Sequence, residues 1–177
     1  MSTMTPERTG TATAAATASR SFVIAAVLAV VVGLGSVLGG LVGMVYTWQT
    51  AAKENITTPD DAPIAGATVD GPLSLWSQAS IIETHQLNRT EGLRYSEMPR
   101  TVPAVDADGN AVLDESGEQV MVPNAARASW IDATSLITVL NLGLMAYALS
   151  LFAIVMGAAV AGLGWVVLRL SRSPALA

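Results

Sequence analysis

Between Phe22 and Trp48 the chain carries 27 consecutive residues without an acid or a base, and between Leu136 and Leu168 it carries 33 more. As helices these runs extend about 40 Å and about 50 Å, whereas the hydrocarbon core of a bilayer is about 30 Å thick. Helices of soluble proteins average about 11–12 residues, and the apolar part of a cleavable export signal is about 7–15 residues long. Both runs therefore predict uncleaved membrane-spanning helices. The second exceeds one crossing, so it must tilt or leave the lipid at one end. Ser135, Thr138 and Asn141 crowd its start, and its first turns are expected to project from the membrane.

The predicted fold is a mainly α membrane protein, a two-helix transmembrane hairpin with a small α+β extracytoplasmic loop region. Its segments are a low-complexity, disordered tail at 1–20, spans at 21–48 and 133–168, a loop at 49–132 and a second tail at 169–177. Arginines and lysines near membrane ends favour the cytoplasmic side. The tails carry Arg8, Arg20, Arg169 and Arg172, against Lys53 and Arg127 on the loop side. Both termini are thus expected inside the cell membrane and the loop outside. Tyr46, Trp48 and Trp130 are expected at the outer interface, and Phe22 and Trp165 at the inner one.

The chain is 51% apolar but only 13% charged, against about 25% charged for a soluble domain. It has no cysteine, which excludes disulfides, thiolate metal sites and cysteine nucleophiles. Residues 49–135 hold thirteen acids and five bases, a poor match for nucleic acid, which needs clustered cations. The expected partners are membrane lipid and either other membrane subunits or a second copy of the chain.

Gly35, Gly39 and Gly43 are spaced by four and fall on one helix face, with Ser36 and Gly40 one step round. Apolar side chains gain little by leaving lipid for one another, so association in a bilayer depends on small residues that let backbones approach. Ala146, Ser150, Ala153, Gly157 and Ala161 offer a matching stripe. These stripes are expected to pack on each other, or one of them on a neighbouring subunit.

In the loop, the Pro-, Gly-, Thr- and Asp-rich stretch after Lys53 reads as an extended linker. A helix is expected over 72–91, with Pro72 at its first position and Gly92 at its stop. Leu75, Ala79 and Ile82 would share a face beside Trp76. That helix is expected on the loop's own strands, with the membrane surface as the alternative. Asp108-Gly109 and Ser116-Gly117 predict tight turns in a hairpin or meander over 102–122, with strands near Val102–Val105, Ala111–Leu113 and Gln119–Val122. It would lean on the preceding helix or another protein. Asp106, Asp108, Asn110 and Asp114 imitate the early ligands of a calcium loop. The pattern fails at Ala111 and Gly117, where a glycine and a bidentate glutamate are required. His85 is the only histidine, and with only Glu83 near in sequence it reads as a helix-surface residue. Asn55-Ile-Thr57 and Asn88-Arg-Thr90 match glycosylation acceptors, a signal common by chance.

The string from Ile81 to Arg100 (Ile81, Ile82, His85, Leu87, Thr90, Gly92, Tyr95, Glu97, Met98, Arg100), followed by Trp130, Ala133, Thr134 and Leu136, resembles a family of small actinobacterial membrane proteins with two membrane helices and one external loop. The likeness covers roughly residues 21–165, with the hairpin as an insertion. Such proteins often bear the label "aromatic ring-opening dioxygenase". That iron chemistry needs two histidines and a carboxylate, or a comparable shell, which one histidine cannot supply. The resemblance implies a topology and no activity.

The expectation is a non-enzymatic membrane protein with no catalytic residues, cofactor or metal, acting as an accessory or structural subunit of a membrane assembly such as a respiratory or cell-envelope complex. The other reading is a membrane-anchored sensor or binding module whose loop recognises a small ligand or envelope component through Trp76, His85, Arg94 and Tyr95.

Overall fold

The computed structural model describes Arg8–Ser171, with side chains from Arg20 onward. Helix α1 spans Arg8–Lys53 and α2 spans Pro72–Arg89. A single 3-10 turn at Tyr95–Glu97 is followed by strands β1, Thr101–Pro103, and β2, Met121–Pro123, and then by α3, Ala125–Ser171. Both α1, over Arg20–Lys53, and α3 are long and apolar enough to cross a membrane. Contacts divide the chain into two units, one holding α1 up to Tyr46 with α3 from Ala146, the other holding Thr47–Met145.

The expected disordered tail is corrected from Arg8 onward, where α1 has already begun. Alanine dominates this stretch and is the strongest helix former. The expectations for residues 1–7 and 172–177 lie outside the described residues.

In the first unit α1 and α3 run antiparallel and meet backbone to backbone. A Cβ on Gly33 would lie 2.5 Å from the Gly157 carbonyl oxygen and the Ala161 nitrogen. One on Gly40 would lie 2.6 Å from the Ser150 oxygen, and one on Gly164 2.7 Å from the Ala26 oxygen. Partners thus fall along α3 as positions climb along α1. The Ser36 hydroxyl donates to the Ala153 carbonyl at 3.1 Å. Gly43 faces the Ser150 side chain.

Among the described residues the buried positions of this unit are Ala26, Gly33 and Gly40 on α1, and Tyr147, Ser150, Gly157 and Gly164 on α3. Tyr147 apart, each set recurs every seven residues. A sustained seven-residue repeat keeps two helices in register only if they wind around each other left-handedly. Of the two packing partners expected for the four-residue stripe, the other helix and a neighbouring subunit, the chain itself bears on the first. Ser36, Gly40, Gly43, Ser150, Ala153, Gly157 and Ala161 do lie along the α1–α3 contact. Gly35 and Gly39 are exposed, and a Cβ on either would meet nothing within 4 Å.

Outside this seam the apolar side chains point outward. In the most apolar window of each helix only 11% is buried. Leu38 and Val42 on α1, and Leu149 and Val155 on α3, are all exposed.

In the second unit α2 runs antiparallel along the start of α3. Near its beginning Leu75 packs on Gly143, its Cδ1 3.2 Å from where a Cβ there would sit. Near its end the Gln86 amide donates to the Ser129 hydroxyl at 2.7 Å. The expected seat on the loop's own strands is thus corrected. The face is Leu75 and Ala79 with Ile81, which is buried where Ile82 is only half-buried. Pro72 begins α2 as expected, and the Ser74 hydroxyl accepts the Gly71 N–H at 3.1 Å.

The stretch expected as a linker is folded. Asn55 ends α1 in the left-handed region at φ 50°. Thr57 and Thr68 then pair, and the buried Thr58 hydroxyl accepts the Ala67 N–H at 2.9 Å. Ser77, fully buried on α2, accepts the Ile64 N–H at 2.9 Å. The loop is thereby fastened to the side of α2.

β1 pairs antiparallel with β2, Val102 opposite Val122, and isolated bridges join Val105 to Ala111 and Leu113 to Gln119. Three backbone bonds close a ring: Ala104 N–H to Val120, Val120 N–H to Val112, and Val112 N–H to Ala104. The two turns are built alike. One Asp106 oxygen accepts the Asp108 and Asn110 N–H groups, and one Asp114 oxygen accepts those of Ser116 and Glu118. The sequence repeats every eight residues here, Asp-x-Asp-Gly-Asn and Asp-x-Ser-Gly-Glu. Val105, Leu113 and Met121 remain exposed, so these side chains do not pack on α2, one of the two supports expected for the meander.

The seam yields a prediction. Gly157→Leu forces the backbones apart and destabilises the hairpin by about 1–3 kcal/mol, whereas Gly39→Leu stays within about 0.5 kcal/mol of the parent. Reversible detergent-denaturant titration of the full chain measures both. Equal effects would remove the seven-residue seam.

Candidate functional site

The residues singled out for recognition do not converge. Trp76 is exposed in the second turn of α2, nine positions before His85. His85 leans to the folded loop, its Nε2 2.7 Å from the Asp61 carboxylate, with both side chains largely in solvent. That hydrogen bond is the main reason the Asp61 carboxyl sits below its ordinary value.

Arg94 and Tyr95 belong to a strap that ties the end of α2 to the start of α3. α2 stops because Glu91 and Gly92 take left-handed conformations, at φ 54° and 84°, a position glycine occupies without strain. The buried Thr90 hydroxyl bonds the Gln86 carbonyl at 2.9 Å and the Leu93 carbonyl at 2.6 Å. The Trp130 indole N–H, from α3, donates to that same Leu93 carbonyl at 3.0 Å. Arg94 pairs with Glu83 at 2.8 Å, its guanidinium 5.9 Å from the Trp130 ring centre. Arg127 lies 3.8 Å over the Tyr95 ring, and its Nε donates to the Tyr95 carbonyl at 3.2 Å. Glu97 accepts the Arg94 N–H at 2.7 Å. Buried Asn124 caps α3 by accepting the Arg127 N–H at 3.1 Å, and its own N–H bonds the Arg100 carbonyl.

Thr90, Gly92, Tyr95, Glu97, Arg100 and Trp130, six residues of the two strings noted in the sequence, therefore take part in a helix stop, a strap and a helix start. Sequence reading placed Arg94 and Tyr95 at a recognition surface because their structural partners, Trp130 and Arg127, lie more than thirty positions away. Gln86, Asn124 and Ser129 were missed altogether. The sequence does carry the signal for Asn124, an asparagine immediately before a helix-forming run.

The chemistry available is limited. Asp106 and Asp114 each accept the N–H groups of a separate turn. Each carboxyl is held below its ordinary value, Asp106 chiefly by the Asn110 backbone N–H and Asp114 chiefly by the Ser116 hydroxyl. Among the described residues no three or more histidine, aspartate or glutamate side chains are grouped to hold a metal. Trp130 is buried and serves the strap rather than standing at a free interface.

No protein-family model, curated protein or solved structure matches this chain.

Trp130→Phe removes one donor but leaves the Leu93 carbonyl its bond from Thr90. The expected cost is about 1 kcal/mol, read as faster hydrogen exchange over residues 90–97 of the full chain with α1 unaffected. Unchanged exchange there would contradict the strap.

Proposed function

We propose that the chain is a non-enzymatic integral membrane protein of the cell membrane, with α1 and α3 each crossing the bilayer once, and that it serves as an accessory or structural subunit of a membrane assembly. The observation that carries the membrane reading is the outward display of apolar side chains along both long helices, with 11% of each apolar window buried. A core helix of a soluble protein hides such a surface, whereas lipid is a solvent for it. Arg8, Arg20, Arg169 and Arg172 outnumber Lys53 and Arg127 near the helix ends, which supports cytoplasmic termini and an extracytoplasmic loop.

The accessory role is supported by how the polar side chains of the loop are used. Ser77, Thr90, Asn124 and Trp130 are buried and bonded within the fold. The meander instead leaves Val105, Leu113 and Met121 on its surface, which suits contact with another subunit better than turnover of a substrate.

Gentle detergent purification of the full chain from its native membrane, followed by mass spectrometry, tests the role. Stoichiometric companion membrane subunits are expected, and a solitary monomer or dimer overturns it. In the same cells Asp108→Cys, as the only thiol, is expected to react with an impermeant reagent before lysis. Reaction only after lysis reverses the orientation.

A further inference from the structure

Every charged residue of the first unit lies before Ser21 or after Leu168 in the sequence. Four are arginines, Arg8, Arg20, Arg169 and Arg172, and Glu7 is the one acid. Arg20 and Arg169 are both exposed.

The α1–α3 seam brings these two to one level. A Cβ on Gly164 would lie 2.7 Å from the Ala26 carbonyl oxygen. Arg169 is five residues beyond Gly164, and Arg20 is six residues before Ala26. The two arginines therefore stand within about one helical turn of each other along the hairpin. The Arg169 guanidinium lies 5.3 Å from the centre of the Trp165 ring, one turn back toward the apolar run.

Their depth follows from α1. Phe22 and Tyr46 are separated by about 36 Å of helix. That is more than the hydrocarbon core, about 30 Å, and less than the bilayer with its headgroups, about 40–45 Å. With α1 spanning, both aromatics fall in the interfacial layers, where tyrosine and tryptophan collect. Arg20, two residues beyond Phe22, then lies about 6 Å outside the hydrocarbon edge. This is the layer of the lipid phosphates, and Arg169 is within a turn of it.

An arginine offers a planar fork of N–H donors that matches two oxygens of a phosphate. An aromatic ring beside it attracts the guanidinium without bringing a neutralising charge. A zwitterionic headgroup carries its own cation next to its phosphate, whereas an anionic one leaves the phosphate to the protein. The excess of arginine over acid at this end complements the second kind.

We propose that Arg20 and Arg169, with Trp165, form a site for the phosphate of an anionic phospholipid at this end of the hairpin. The proposal rests on α1 and α3 crossing the bilayer.

The full chain in phosphatidylcholine vesicles tests it, with a trace of spin-labelled phosphatidylglycerol or spin-labelled phosphatidylcholine. The share of label immobilised against the protein is measured. Phosphatidylglycerol is expected to be immobilised in excess over phosphatidylcholine. Arg20→Gln and Arg169→Gln are each expected to lower that excess and together to remove it, while Lys53→Gln leaves it unchanged. Both arginines are exposed, and each single variant reports alone if the double variant does not fold. No excess in the parent chain overturns the site, as does an excess that survives the arginine substitutions or vanishes with Lys53→Gln. In each of those cases the immobilised shell still upholds the spanning helices. Loss of the excess when inorganic phosphate replaces chloride at equal ionic strength means that the arginines hold a soluble phosphate, and overturns the lipid assignment. Absence of immobilised lipid of either kind overturns the spanning helices and the site with them.

Discussion

Two helices that touch backbone to backbone need a small residue at every point of contact, and the structure of the first unit depends on that condition. Gly33, Gly40, Gly157 and Gly164 meet it, and a methyl group at any of them would lie 2.5–2.7 Å from a backbone atom of the other helix. In a bilayer this matters more than in water, because lipid solvates leucine and valine as well as another helix does. What remains is dispersion at close range, joined here by the Ser36 hydroxyl on the Ala153 carbonyl. With lipid as the proposed solvent, unbroken helices are expected as well, since a backbone N–H without a partner in hydrocarbon costs several kcal/mol.

The long helices are legible in the sequence because their signal is one of length and missing charge, which no local context overturns. The phase of their contact is harder to read. Gly35, Gly39 and Gly43 form a more conspicuous pattern than Ala26, Gly33 and Gly40, yet the hairpin uses the second. A four-residue spacing suits helices that cross steeply, whereas a seven-residue spacing suits helices that stay together over several turns, as a hairpin requires. In the loop, Pro72 and Gly92 mark the ends of α2 because capping is local chemistry. The seat of α2 on α3 is not legible, since Leu75 and Gly143 are far apart in sequence. The supposed linker misleads for the same reason. Its composition is that of a loop, and its order comes from Ser77, a residue of the following helix.

Three of the residues expected at a recognition surface, His85, Arg94 and Tyr95, also make contacts within the loop. His85 meets Asp61, Arg94 meets Glu83, and Tyr95 lies under Arg127. Such pairings on an exposed surface contribute little each, but with Thr90, Asn124 and Trp130 they fix where α2 ends and α3 begins. A chain built this way presents surfaces that are apolar along its long helices and along its meander.

Everything above depends on α1 and α3 having lipid as their solvent. Washing membranes from cells that produce the full chain with alkaline carbonate separates proteins held at the surface from those that cross the bilayer. The full chain is expected to stay with the sedimented membranes and to enter solution only with detergent. Its release by carbonate alone, as a folded chain in the supernatant, would contradict the membrane-spanning hairpin.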